Sequence, residues 1–357
     1  MKQEKFIYNN RFITESGESI EPLEICYHHT DNYTPGKRVI WICHALTANS
    51  NPLEWWEGLV GPGKLFDTEK FYIICANVLG SCYGSSGPAS YNKEGKRYLL
   101  GFPQVTVRDR VRAHNLLREA LGIEKIDLIT GGSIGGFQAL EWAVTYPDII
   151  KGLVLIACSA RVSPWATAFN ESQRMALLAD STFLGFAKDN NISGGKKGLE
   201  AARSIALLSY RSYEGYGITQ KESHEDSLFA KKACSYQQYQ GEKLSNRFDA
   251  YSYYTLTKSI DSHNVGRNRG GVEKALSQIE AKTLVIGIDS DVLFPIEEQR
   301  FMAKNIEGAS FVQIESLFGH DGFLLEYPKT ANAIQNTFPE LFNSKSIKSN
   351  NKVYAGS

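Results

Sequence analysis

The stretch Ile126–Glu141, IDLITGGSIGGFQALE, decides how the rest of the chain is read. It opens with a compact run carrying Ile126, Ile129 and Thr130, short enough for a buried strand. Gly131-Gly132-Ser133-Ile134-Gly135-Gly136 follows, then a helical pattern from Phe137 to Thr145 that Pro147 stops. A G-x-S-x-G between strand and helix is the context of a nucleophile elbow. A serine thrown outward on so sharp a turn sits in strained backbone geometry, and glycine neighbours let the helix press against the strand. The helix start adds the Ile134 N–H and a partial positive charge, both suited to a developing oxyanion. The competing reading is a glycine-rich phosphate loop. It fails because the stretch has no lysine at the P-loop position and no G-x-G-x-x-G.

Outward from the elbow, Arg38–Cys43 (RVIWIC), Phe71–Ala76 (FYIICA), Leu153–Ala157 (LVLIA), Thr283–Ile288 and Phe311–Ile314 are short apolar runs. They suit strands buried on both faces of a largely parallel sheet. Helical patterns cover Thr106–Leu121, with Val107, Val111, Leu116 and Leu117 toward its apolar side, and about Ile296–Lys304. Strand–helix alternation at this pitch predicts an α/β fold with active-site loops at the strand C-termini. Residues 1–30 alternate apolar and polar and predict antiparallel edge strands.

The interval from Ala157 to Thr283 is far longer than the roughly 30 residues of a βαβ unit. An inserted helical subdomain is expected over 163–278, between core segments 1–162 and 279–342. Its helices are predicted at Glu171–Ala179, Gly198–Tyr210 and Leu228–Tyr239. Placed at the strand C-terminal edge, it would cover the serine as a lid. Residues 343–357 are polar and predict a flexible tail.

Lys+Arg and Asp+Glu both number 39, and zero net charge argues against a nucleic-acid or anionic-membrane partner. No apolar run approaches the length of a membrane span, and the start MKQEKFIYNN lacks the apolar segment of a signal peptide. The cysteines, at 26, 43, 75, 82, 158 and 234, stand without C-x-x-C pairing. They read as thiols of a reducing cytoplasm rather than disulfides or zinc ligands, so a soluble cytoplasmic globular protein is expected.

A serine needs a base to take its proton and a third group to orient that base. Behind an elbow of this kind the chain order is Ser, acid, His. Of 7 histidines, only His320 lies beyond the last predicted strand, in SLFGHDGF between Gly319 and Gly322. His28 and His29 precede the sheet proper, His114 sits in a helix, His224 in a charged loop and His263 in the insertion. The acid belongs just past Thr283–Ile288, where Asp289 reads as a turn cap and Asp291 as the loop carboxylate. A second oxyanion donor is expected from His44-Ala45-Leu46-Thr47, at Leu46 or Thr47. Gly80-Ser81-Cys82-Tyr83-Gly84 imitates the elbow, but no helical pattern follows, so it reads as a loop lining the pocket.

These residues give a serine acyl-transfer enzyme with its acceptor open. Water is the default; an amino-acid acceptor requires a cation for its carboxylate and an anion for its amine. Arg203 and Tyr210, at i and i+7 of one predicted helix, share a face, and Asp321 reads as a free carboxylate at the site mouth. On spacing alone Arg203 and Tyr210 read as a solvated or packing face.

GGSIGG followed by QALEW, HALT, ANVLGSCYGSSGP, SPWATAFNESQR, AARSIALLSYRS, DSHNVGR, GIDSDVLFP and GHDGFL, in this order across about 38–325, together resemble the homoserine O-acetyltransferase family. The resemblance implies an α/β-hydrolase fold, a mostly parallel sheet with an inserted helical lid. It implies Ser133 as the nucleophile acetylated from acetyl-CoA, Asp291 as the triad acid and His320 as the base. Leu46 and Ile134 match the oxyanion donors, Arg203 the holder of the acceptor carboxylate, Tyr210 a second substrate contact and Asp321 the amine partner. It further implies a homodimer paired through the lid helices and no metal or bound cofactor. Ile134 stands where Met is more usual, a change without consequence if only the N–H acts. The implied reaction is ping-pong and gives O-acetyl-L-homoserine, a methionine precursor. Succinyl-CoA as donor, L-serine as acceptor, or an ordinary esterase remain alternatives at this point. A complete triad in order argues against a non-catalytic scaffold.

Overall fold

The structure is a computed structural model and describes residues 1–31, 33–224, 226 and 228–342. The tail predicted over 343–357 lies outside the described residues. The N-terminal segment forms β1 (Lys2–Tyr8), β2 (Phe12–Ile13), β3 (Ser19–Ile20) and β4 (Leu23–His29). The apolar runs become β5 (Val39–Cys43), β6 (Tyr72–Ala76), β7 (Leu128–Gly132), β8 (Gly152–Ile156), β9 (Lys282–Ile288) and β10 (Ser310–Ile314). Apart from the β2–β3 ribbon, they make one 8-stranded sheet in the order β1-β4-β6-β5-β7-β8-β9-β10. Pairing is parallel from β6 through β10, and β4 runs antiparallel to both of its neighbours.

Every residue of β5 is buried, and its alternation sorts side chains between two layers. Val39, Trp41 and Cys43 enter one apolar cluster, Ile40 and Ile42 the other. Burial on both faces is what turns the sequence of a parallel strand into an unbroken apolar run. The first cluster is covered by α1 (Val107–Ala120) and α2 (Ile134–Thr145). α1 starts at a capping box in which Thr106 accepts from the Asp109 N–H and Asp109 bonds back to the Thr106 N–H. One expectation is corrected: Leu23–His29 is an interior strand, so His28 and His29 belong to the sheet. Its burial is close to two-sided, with Leu23, Ile25, Cys26, Tyr27 and His29 all buried.

From β5 the chain passes to β6 on one side and later returns to β7 on the other. The C-terminal ends of β5 and β7 therefore border the crevice where an open α/β sheet binds its ligands. Between β8 and β9 lie α3 (Pro164–Ala179), α4 (Ser181–Lys188), α5 (Lys196–Tyr210), α6 (Tyr213–Thr219), α7 (Lys232–Ser245), α8 (Ala250–Asp261) and α9 (Val272–Leu276), and α10 (Ile296–Asn305) follows β9. The helix predicted at Leu228–Tyr239 starts later and runs further, leaving Leu228 and Phe229 exposed. The α8 sequence AYSYYTLTKSID is aromatic and β-branched and does not mark a helix; packing of Tyr251, Tyr253, Leu256 and Ile260 overrides that preference. Among the described residues no helix is long and apolar enough to cross a membrane.

Candidate active site

Ser133 stands between β7 and α2 with φ 58° and ψ −128°, a left-handed conformation costly for a side chain with a Cβ. Its surroundings over-determine it. The Ser133 N–H donates to the Ile156 carbonyl at 3.0 Å, tying the turn to β8. A Cβ on Gly135 would lie 2.2 Å from the Cys43 carbonyl oxygen, so α2 rests against the end of β5 only because that position is glycine. Ile134 is the first residue of α2, where backbone N–H groups have no intrahelical acceptor.

After β5 the chain makes a turn closed by the Ala48 N–H on the Ala45 carbonyl, at 3.1 Å, with Leu46 inside it. The turn is held from below. Gln138 Nε2 donates to the His44 carbonyl at 3.2 Å, and His44 Nε2 accepts from the Val78 N–H at 3.1 Å, which leaves Nδ1 as the donor to the Ala45 carbonyl. Among the described hydrogen bonds, none uses the N–H of Leu46 or of Ile134.

His320 Nδ1 meets Asp291 Oδ2 at 2.6 Å, and Asp291 Oδ1 accepts the Leu293 and Phe294 N–H groups at 2.8 and 3.0 Å. The carboxylate is thereby fixed by one loop and spends its other oxygen on the imidazole. Asp289 does not cap its own turn as expected: it accepts the Ser316 N–H at 3.0 Å, tying the end of β9 to the loop after β10. Phe294, Phe323 and Tyr210 pack their rings around His320, with centroids 5.3, 5.3 and 5.7 Å away. Burial alone would push this imidazole down; the charge and hydrogen bond of Asp291, with Asp321 beside it, outweigh burial and raise its pKa. Three buried imidazoles outside the site go the opposite way. Burial pushes His44 to about 4, His114 to about 3 and His263 to about 4. His263 stacks on Phe137 at 4.0 Å and bonds the Ser159 carbonyl, a packing role.

Ser133, His320, Leu46, Arg203, Tyr210 and Asp321 all line one cavity of about 500 Å³. Ile134 lines a small adjoining recess with Ser133 and Leu46. The Arg203 guanidinium lies over the Tyr210 ring at 5.4 Å, and both side chains line the cavity that holds Ser133. Asp321 is not the free carboxylate the sequence suggested: it is ion-paired with Arg211. The pairing arises because Gly319, at φ +63°, presses the histidine loop onto the backbone of Arg211 and Ser212. Tyr83 joins the cavity wall from the Gly80–Gly84 loop. Among the described residues no cluster of His, Cys, Asp and Glu could hold a metal ion, and the cysteines are free.

The description of the alpha/beta hydrolase fold matches residues 38–327. A homoserine O-acetyltransferase of Cyclobacterium marinum is 44% identical over 344 residues, 95% of this chain and 96% of that protein. The chain belongs to the homoserine O-acetyltransferase family. The crystal structure of homoserine O-acetyltransferase from Staphylococcus aureus superposes with TM-score 0.78 at 31% identity, covering 97% of each chain. Esterase E22 superposes with TM-score 0.83 at 24% identity, covering 94% of this chain and 99% of that one, a likeness of fold alone.

Two side chains of this homoserine O-acetyltransferase family member escaped the sequence reading. Arg211 directly follows Tyr210 and pairs with Asp321, and Arg247, which lines the cavity, donates to Thr47 and Tyr83. No spacing rule marks either, because each meets its partner through the fold.

Proposed function

We propose that the protein transfers an acetyl group from acetyl-CoA to the hydroxyl of L-homoserine, with Ser133 carrying the acetyl group in between. One observation carries this reading. A serine with a histidine–aspartate pair shares its cavity with a cation, Arg203, and with the carboxylate of Asp321, whose charge Arg211 already shares, so that an acceptor amine would join an existing ion pair. Ester hydrolysis by itself calls for neither.

In the first half-reaction His320 takes the Ser133 proton as Oγ attacks the thioester carbonyl. The tetrahedral oxyanion is stabilised by the N–H groups of Leu46 and Ile134, each worth about 3 kcal/mol. Collapse breaks the C–S bond and the thiolate leaves with the proton from His320. Homoserine then enters with its carboxylate on Arg203 and its amine toward the Asp321 carboxylate, Tyr210 packing beside it. His320 deprotonates its hydroxyl, the new ester forms, and Ser133 regains its proton. The helices over 163–278 are read as a lid that restricts water and so favours transfer over hydrolysis. We read the chain as cytoplasmic and as a homodimer joined through these helices. Exposed Met175, Leu178, Leu208, Tyr213 and Ile218 support that pairing.

The test is release of CoA thiol with acetyl-CoA or succinyl-CoA against homoserine or serine. Acetyl-CoA with homoserine is expected to be fastest, and Ser133→Ala to abolish release while circular dichroism stays native. Thiol release that does not depend on homoserine with either donor would refute the reading, and rates with p-nitrophenyl acetate equal to those with acetyl-CoA and homoserine would make the protein an esterase.

A further inference from the structure

The wall of the cavity carries a contact the acyl-transfer scheme does not use. Arg247 lies between α7 and α8, where the chain turns back toward the sheet. Its Nη1 donates to the Thr47 carbonyl at 2.6 Å and to the Tyr83 hydroxyl at 2.7 Å, and its Nη2 approaches Thr47 Oγ1 at 3.4 Å. The next residue, Phe248, is buried and meets the Tyr83 ring edge-on at 5.6 Å, which fixes the start of the arginine side chain. Thr47, Tyr83 and Arg247 all line the cavity that holds Ser133.

The turn that carries Leu46 thus has two supports of different origin. His44 and Gln138 hold its root from within the core. Its exit, at Thr47, is held from the inserted helices by a guanidinium whose fork spans two loops. A charged donor to a carbonyl is stronger than a neutral one, and a planar fork loses little freedom when it bridges two acceptors. We infer that Arg247 is a positioning residue that sets the oxyanion turn, so that the inserted helices complete the oxyanion site rather than only cover it. The inference rests on the acyl-serine reading.

The experiment compares Arg247→Met and Arg247→Lys with the wild-type protein on two acyl donors, one with phosphates and one without. Acetyl-CoA with homoserine gives kcat and both KM values, and p-nitrophenyl acetate gives the rate constant of the p-nitrophenol burst. Positioning predicts that Arg247→Met lowers kcat and the burst rate alike, by about tenfold, within the up to 10³-fold loss of a whole oxyanion donor. KM for acetyl-CoA should stay within about twofold, and Arg247→Lys, which keeps the charge and one donor nitrogen but not the planar fork, should recover part of the rate. A loss confined to acetyl-CoA and expressed in its KM would overturn the inference, since the guanidinium would then be meeting donor phosphates. Unchanged rates with both donors, whatever the melting temperature does, would overturn it too. A wild-type protein inactive on both donors would instead refute the acyl-serine reading itself.

Discussion

The elbow and the inserted helices hold catalytic groups by opposite means. Around Ser133 the constraint is backbone on backbone: Gly135 lies against the Cys43 carbonyl, and the serine N–H is tied to β8. On the inserted side the constraint is polar side chains reaching across a seam. Ser212 Oγ donates to the Leu317 carbonyl at 2.6 Å, Arg211 pairs with Asp321, and Arg247 bridges Thr47 and Tyr83. The first arrangement admits no adjustment, because a dense interior cannot absorb an extra atom. The second can loosen and reform, as a segment bounding a substrate cavity must if substrates are to pass. Changes at the elbow should therefore cost folding, and changes on the seam should cost kinetics.

The largest effect is expected for Gly135→Ala. Its Cβ would fall 2.2 Å from a carbonyl oxygen that belongs to the central sheet, so β5 or α2 must move. A destabilisation above about 4 kcal/mol is expected, the range reserved for overpacking against rigid surroundings. Thermal melting followed by circular dichroism checks it; a near-native melting temperature would show that the elbow has slack.

Asp291→Asn comes next and separates chemistry from folding. The imidazole loses the charge that raises its pKa and the acceptor that selects its tautomer, for a loss in kcat on the order of 10⁴-fold. His320 must be neutral to act as base. A raised pKa keeps it protonated to higher pH, so the acid limb of kcat/KM should lie above the ordinary imidazole value of about 6.5. In Asp291→Asn the residual activity should have its acid limb moved to lower pH. A limb that stays in place would mean that another group is titrating.

Arg203→Met probes the inserted side. Losing a charged hydrogen bond to the acceptor carboxylate, worth about 1.5–3 kcal/mol, should raise the homoserine KM by about 10- to 150-fold. Turnover of p-nitrophenyl acetate, which has no carboxylate, should be unmoved. Equal losses on both substrates would place Arg203 with the structural residues and blur the contrast between core and seam.

The same contrast marks what the sequence discloses. Backbone constraints leave local signatures: glycines at fixed offsets, a β-branched run, a stop at Pro147. From these the elbow follows, and the choice of Asp291 over Asp289 follows from its place past the strand end, before the Val292–Pro295 run that starts the next helix. The seam leaves none. Arg211 and Arg247 acquire their partners through folding across Asp321 and Thr47, so Asp321 reads as unpaired and Arg247 passes unnoticed. The face shared by Arg203 and Tyr210 is legible as a face, but its place on the cavity of Ser133 depends on how α5 docks. Helix α8 is hidden because its aromatic and β-branched residues favour a strand until tertiary packing decides otherwise.

One exception stands within the core. Arg110, on α1, is completely buried, and among the described residues none of its three side-chain nitrogens has a hydrogen-bond partner. Neighbouring Asp109 spends its carboxylate on the Glu15 and Thr106 N–H groups and on Arg112. Burial pushes the guanidinium down to about 9, far below its ordinary range. An uncompensated charge in a close-packed interior costs stability, and an apolar side chain of similar length removes that cost. Arg110→Met should therefore raise the melting temperature at neutral pH, by the equivalent of about 1–4 kcal/mol. The sign with pH follows from linkage. A cation whose folded pKa is depressed leaves the unfolded chain holding more protons above about 9, so wild-type stability rises there with pH and the gap to the variant narrows. A melting temperature that falls on substitution, or a gap that does not change between neutral pH and pH above 9, would mean that this charge is compensated where it lies. The core would then share the polar character that otherwise distinguishes the seam.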